Sequence, residues 1–140
     1  MQRKSQSFKD AVFEDILTKM RIKRRIRLKT CSDTDSPMLV GVVFPIVYIP
    51  KDIPEDDRRY IYLHELTHYR HKDLAIKWFA CIVNAIFWFN PFVYLTINNM
   101  NEGCEIYCDE TVTKCMDVDE KRAYMNTILN LVIAKGERDV

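Results

Sequence analysis

Two histidines four residues apart, with a glutamate beside the first, are the residues of this chain best placed to do chemistry: His64-Glu65-Leu66-Thr67-His68. On a helix, side chains four apart project from one face, one turn above the other. Both imidazoles can then reach a single zinc ion. Glu65 can reach a water on the same metal and take its proton. His64 and His68 are therefore the candidate metal ligands and Glu65 the candidate general base. The neighbouring residues support the helix. Pro54-Glu55-Asp56-Asp57 is an acidic helix start, with charges where the dipole favours them. Ile61, Leu63, Leu66 and Tyr69 supply an apolar component for packing.

Two histidines alone hold zinc weakly, so a third ligand is required. A third histidine further along the same helix would fall at Leu74, which excludes that pattern. The other common solution is a glutamate from a later helix. Glu105 and Asp109 share a face at a spacing of four. Glu105 can bind the metal while Asp109 accepts the free N–H of a ligand histidine. Glu102 lies on nearly the same face and is the rival third ligand. An ordinary acidic helix surface is the alternative for all three.

Several separated strings resemble one family. They are His64-Glu65-Leu66-Thr67-His68, Arg70-His71-Lys72-Asp73, Trp88-Phe89-Asn90-Pro91-Phe92 and Glu105-Ile106-Tyr107-Cys108-Asp109. Upstream stand Ser36-Pro37-Met38, Gly41 and Phe44-Pro45-Ile46-Val47-Tyr48-Ile49-Pro50. Together they are similar to the BlaR/MecR family of membrane zinc metallopeptidases, over residues 25–115. The resemblance implies a zincin-like endopeptidase of gluzincin type, with its active site on the cytoplasmic side of the cell membrane. It implies that His64, His68 and Glu105 are the zinc ligands, Glu65 the catalytic glutamate and Asp109 the acid behind the ligands. Family members sense cell-wall antibiotics and bring about cleavage of a transcriptional repressor. No penicillin-binding sensor and no membrane helices ahead of the zinc helix are visible, so the resemblance extends to the peptidase domain alone.

These residues need elements to position them. Residues 8–20 read as an amphipathic helix, residues 22–31 as a strand, and residues 32–37 as a turn-rich loop. Residues 38–43 and 46–49 read as two short strands interrupted at Pro45. Residues 101–116 and 119–134 read as helices. The expected fold class is α+β, mainly helical, with a small antiparallel sheet preceding the H-E-x-x-H helix. One domain spans residues 1–140: an N-terminal helix and basic segment (1–24), the sheet (25–50) and a helical catalytic part (55–140). Val40, Gly41, Val42 and Val43 form a candidate substrate-binding strand, able to hold an extended peptide by backbone pairing. Gly41 would allow close approach there, or serve a plain turn. Tyr69, Arg70, His71 and Tyr107 are candidates to stabilise the oxyanion, with a simple surface histidine the blander reading of His71.

Residues 74–97 are apolar on all faces and nearly long enough to cross a bilayer. Lys77, Asn84, Asn90 and Pro91 interrupt them, and Pro91 should break the run. A buried central helix is expected, with one face left for lipid or neighbouring membrane helices; partial immersion in the membrane is the alternative. The net charge of +1 argues against bulk nucleic-acid binding. The basic run at residues 19–29 suits either a solvated face or anionic lipid headgroups. Five cysteines without a regular framework point to a reducing compartment. Cys104 and Cys108, four apart on a helix, could bind a metal, but without a C-x-x-C pair they read as small buried side chains. No signal peptide is visible. The expected partners are a protein substrate and the membrane, without direct nucleic-acid contact. A non-catalytic sensor or scaffold is the competing reading. It would have a closed structural zinc site completed by a fourth ligand such as Cys104 or His71.

Overall fold

The computed structural model describes residues 5–7, 9–31, 34, 36–51 and 53–136. Four short strands and five helices follow in the order β1 (Ser5–Ser7), α1 (Ala11–Lys19), β2 (Arg27–Cys31), β3 (Met38–Val40), β4 (Ile46–Pro50), α2 (Glu55–His71), α3 (Asp73–Ile86), α4 (Pro91–Thr113) and α5 (Val118–Gly136). Phe8 and three residues of the expected loop, Ser32, Asp33 and Asp35, lie outside the described residues.

The α+β class holds, with one correction: the sheet is mixed. Its order is β1-β2-β4-β3. The outer pairs are antiparallel, whereas β2 and β4 run parallel, with Leu28 opposite Val47. The reason is a double reversal. After β2 the chain passes to the far edge, forms β3, and turns back into β4, which recovers the direction of β2. Gly41 makes that turn, at φ +92°, and a Cβ there would sit 2.5 Å from the Phe44 carbonyl oxygen. It ends β3 at Val40, so Gly41, Val42 and Val43 belong to the connection rather than to a strand. Only Val40 of the expected substrate strand is in β3, which nevertheless forms one edge of the sheet.

The core lies between the sheet and the first two helices. Asp10 caps α1 by accepting from the Val12 N–H. One face of α1 buries Phe13, Ile16 and Leu17 against Leu28, Val47 and Ile49 of the central strands. Tyr62 and Leu66 of α2 complete this core at 0% exposure. The Tyr62 hydroxyl also donates to Asp10, 2.7 Å away, which pins the start of α1 to the middle of α2. Helix α2 is the hub, touching α1, β3, α3, α4 and α5.

Helices α2 and α3 meet without a loop at Lys72, which takes a left-handed conformation (φ 61°). Residues 74–97 are therefore not one buried helix. Asn90 caps α4 and Pro91 occupies its first turn, which separates α3 from α4. Within α3 only Asp73 and Ala80 are buried. Trp78, Phe79, Trp88, Phe89 and Phe92 are all at least 63% exposed. The expectation of a buried central helix fails because α2 fills that place. No helix among the described residues is long and apolar enough to cross a membrane. Helix α4 continues unbroken through residues 98–101, because asparagine without a following glycine or proline does not stop a helix. Helix α5 opens with a capping box, in which Asp117 accepts from the Glu120 N–H and Glu120 reaches back to the Asp117 N–H.

Candidate metal centre

Helix α2 buries one face in the core and turns His64, Glu65 and His68 toward α4 and α5. The two histidines lie one turn apart, as their spacing requires. Their Nε2 atoms are 3.0 Å apart. Glu105, from α4, brings Oε2 to 3.6 Å from His64 Nε2 and 3.3 Å from His68 Nε2. Three donor atoms on two helices thus form a nearly equilateral triangle. For a tetrahedral ion with bonds of about 2.0–2.1 Å, donor atoms stand roughly 3.3 Å apart. The residues present fit such an ion. Glu102 makes no contact of this kind, and it does not line the cleft.

The far side of each ring is held as well. His68 Nδ1–H donates to Asp73 Oδ2 at 2.6 Å. His64 Nδ1–H donates to the hydroxyl of Tyr124, 2.8 Å away, which donates in turn to Asp109 Oδ1 at 2.6 Å. Asp109 itself stands 3.3 Å from His64 Nδ1. With both Nδ1 protons engaged, both Nε2 lone pairs face each other and the Glu105 oxygen. Three acceptors aimed at one point call for a shared cation. Lys77 Nζ lies 3.5 Å from Glu105 Oε1, which leaves Oε2 for the histidines.

Sequence reasoning did not find Asp73, Tyr124 or Lys77, and it ranked metal binding by Cys108 below a simple buried side chain. Cys108 is fully buried, with Sγ 3.7 Å from His64 Nδ1 and 3.5 Å from the His64 carbonyl oxygen. It forms a possible metal-holding group with His64 and His68, all donor atoms lying within 4.8 Å of one another. Its sulfur sits against the Nδ1 side of His64, however, whereas Glu105 faces the two Nε2 atoms. Glu105 and Cys108 thus approach the histidine pair from opposite sides. Tyr69, Arg70, His71 and Tyr107 do not line this cleft. His71 stacks on Tyr107 instead, with ring centroids 4.6 Å apart.

The electrostatics follow from this crowding. Burial opposes protonation of His64, yet hydrogen bonding to Asp109, Cys108 and Glu105 outweighs it and raises its pKa far above the imidazole range. His68 is raised to about 10; burial again opposes, while Cys108, Glu105 and Asp73 prevail. Glu105 is held well below the usual carboxylate range by the proximity of His64 and His68. Asp109 is also depressed, since its bonds from His64 and Tyr124 overcome burial. Two rings cannot both carry Nε2 protons at 3.0 Å, so these directions mark a site that demands positive charge from protons or from a metal. Glu65 moves the opposite way: burial raises its pKa, against the pull of the histidines. The shift is in the direction that favours uptake of a proton by this carboxylate.

The site opens into a cleft of about 480 Å³. Leu39 of β3 lines it, as do Ile128, Leu131 and Val132 of α5, so its walls are largely apolar around a charged floor.

Comparison with known proteins places most of the chain in one family. The family profile described as BlaR1 peptidase M56 matches residues 1–140. The chain is 30% identical over 128 residues to regulatory protein BlaR1 of Bacillus licheniformis, an alignment covering 89% of this chain and 21% of that protein. It is 34% identical over 119 residues to the methicillin resistance mecR1 protein of Staphylococcus aureus, covering 82% of this chain and 20% of that protein. Similarity to BlaR1 of Staphylococcus aureus is lower, 23% over 124 residues. The chain spans about a fifth of the length of these relatives. By the extent of the profile match and the identity to BlaR1 and mecR1, this chain belongs to the BlaR1 peptidase family, M56.

Proposed function

We propose that this chain is the zinc-dependent endopeptidase domain of a BlaR/MecR-like membrane signalling protein, with two histidines and one glutamate as metal ligands. The observation that carries this reading is the triangle of His64 Nε2, His68 Nε2 and Glu105 Oε2, with Glu65 beside it at the base of an open cleft. Bound there, zinc would make a water acidic enough to ionise near neutrality and would polarise a peptide carbonyl. Glu65 takes the proton of the attacking water on its carboxylate and delivers it to the nitrogen of the departing amine. Asp73, Tyr124 and Asp109 keep the histidine Nδ1 atoms protonated and the rings oriented. Lys77 orients Glu105 through its second oxygen. The free edge of β3 offers backbone groups of Met38–Val40 to an extended substrate strand.

The substrate under this reading is a protein, either a transcriptional repressor or the signalling protein itself, cleaved in response to an extracellular signal. The domain works at the cell membrane, facing the cytoplasm. The exposed aromatic side chains of α3 and α4 suit contact with lipid or with neighbouring membrane helices. Replacing Glu65 by glutamine tests the central assignment. Peptide cleavage should vanish while zinc content stays unchanged; retained cleavage would remove Glu65 from the mechanism.

The buried position of Cys108 favours one other reading, a structural site closed by His64, His68, Glu105 and the Cys108 thiolate. Loss of zinc from Cys108→Ser together with no peptidase activity in the unaltered chain would decide for it.

A further inference from the structure

We infer that the cleft adjoining the metal centre is a docking site for an acidic segment of the protein substrate. This deepens, and rests on, the peptidase reading above. Five cationic side chains line the cleft: Arg21, Lys23, Arg24, Arg70 and Lys72. No carboxylate lines it, and all five cations are exposed. None of them forms an ion pair among the described residues. Arg24 is fixed by a hydrogen bond from Nη2 to the Val43 carbonyl oxygen, which ties the basic segment to the β3–β4 connection.

The cations come from separate parts of the chain, since Arg21, Lys23 and Arg24 follow α1 while Arg70 and Lys72 end α2. A helix C-terminus attracts cations, and two helices end here. Two such ends supply about one negative elementary charge between them, at about half a charge each. Five cations far exceed that, so the surplus is available to a ligand. Arg21 and Lys72 are also the two non-glycine residues with positive φ among the described residues, at 54° and 61°. Glycine is the usual occupant of that conformation after a helix. Both positions carry a cation instead, in the same cleft.

Position selects the ligand. Leu39, His68 and Leu74 line both this cleft and the catalytic one. A polypeptide running along the edge strand β3 would pass from one into the other. A bilayer headgroup would gain nothing from that continuity. Acidic residues on one side of the scissile bond would sit among the five cations, adding affinity and fixing the direction in which the substrate lies.

The experiment uses the whole chain carrying Glu65→Gln, so that binding is read without turnover. Fluorescence polarisation compares a peptide bearing a run of glutamates with its glutamine counterpart. The acidic peptide should bind at least about tenfold more tightly, with affinity falling as salt rises. Lys23→Glu with Arg70→Glu should abolish that preference, while the otherwise unaltered chain bearing these two changes still cleaves a neutral peptide. Equal binding of the two peptides would overturn the inference. So would binding of phosphatidylserine-containing vesicles, compared with phosphatidylcholine alone, without acidic-peptide preference. Failure of the peptidase reading shows up separately, as absent cleavage of neutral peptides by the unaltered chain.

Discussion

Replacing Tyr124 by phenylalanine removes one oxygen and keeps a ring that is 0% exposed and edge-packed against Tyr60 at 6.2 Å. That oxygen bridges His64 Nδ1 at 2.8 Å and Asp109 Oδ1 at 2.6 Å. Losing a hydrogen-bonded partner behind a metal ligand typically lowers metal affinity about 10- to 100-fold, or roughly 1.4–2.8 kcal/mol. Asp109 stands only 3.3 Å from His64 Nδ1, so it can close on the ring and recover part of the loss. The expected effect therefore lies at the lower end, about tenfold. Asp109→Asn removes the charge at the end of the same chain and should cost more. Because the two residues act in series, the double variant should lose less than the sum of the single losses. Competition with a chromophoric chelator measures all four affinities. Unchanged zinc affinity in Tyr124→Phe, or strictly additive losses, would refute the series arrangement.

Glu105→Ala should lower zinc affinity far more than Glu102→Ala, as read by the same competition; the reverse order would exchange the third ligand. In the chelated chain the His64–His68 pair holds a proton between its Nε2 atoms, with His68 raised to about 10, so zinc must displace that proton. Zinc affinity should accordingly rise with pH across the neutral range, with protons released in calorimetry. The raised pKa also fixes the sign for stability. The contribution of protonated His68 is complete below the ordinary imidazole value of about 6.5 and fades as pH climbs through about 10. Thermal unfolding of the chelated chain should show that decline. Lys72→Gly relieves a left-handed backbone and should stabilise the fold by about 1 kcal/mol, seen as a higher Tm, while weakening acidic-peptide binding.

The parts of the site legible in the sequence are those set by helical spacing. His64 and His68 share a face wherever α2 forms, and Glu105 with Asp109 does the same on α4. Asn90-Pro91 announced the break that separates α3 from α4. What spacing cannot reveal is which faces meet. Tyr124 arrives from α5 through packing, and nothing local marks it among the apolar positions of that helix. Asp73 follows His68 by five residues, a separation that brings it to the ring only because Lys72 bends the backbone between them. The spacing of Cys104 and Cys108 allows metal binding without saying to what, and Cys108 becomes a neighbour of His64 only when α2 and α4 pack together. The parallel pairing of β2 with β4 is equally non-local, since local alternation says nothing about strand order. The apolar run at residues 74–97 was misread because a segment greasy on every side usually lies inside.

One rod of seventeen residues, α2, carries Tyr62 and Leu66 on its oily side and the imidazole pair on another. Turning it by a single residue, about 100°, would expel the tyrosine from the interior and swing both rings out of reach of Glu105. The aim of the imidazoles is thus an inheritance from the packing behind them. The convergence of these side chains and the cohesion of the fold are in this way two readings of the same helical phase.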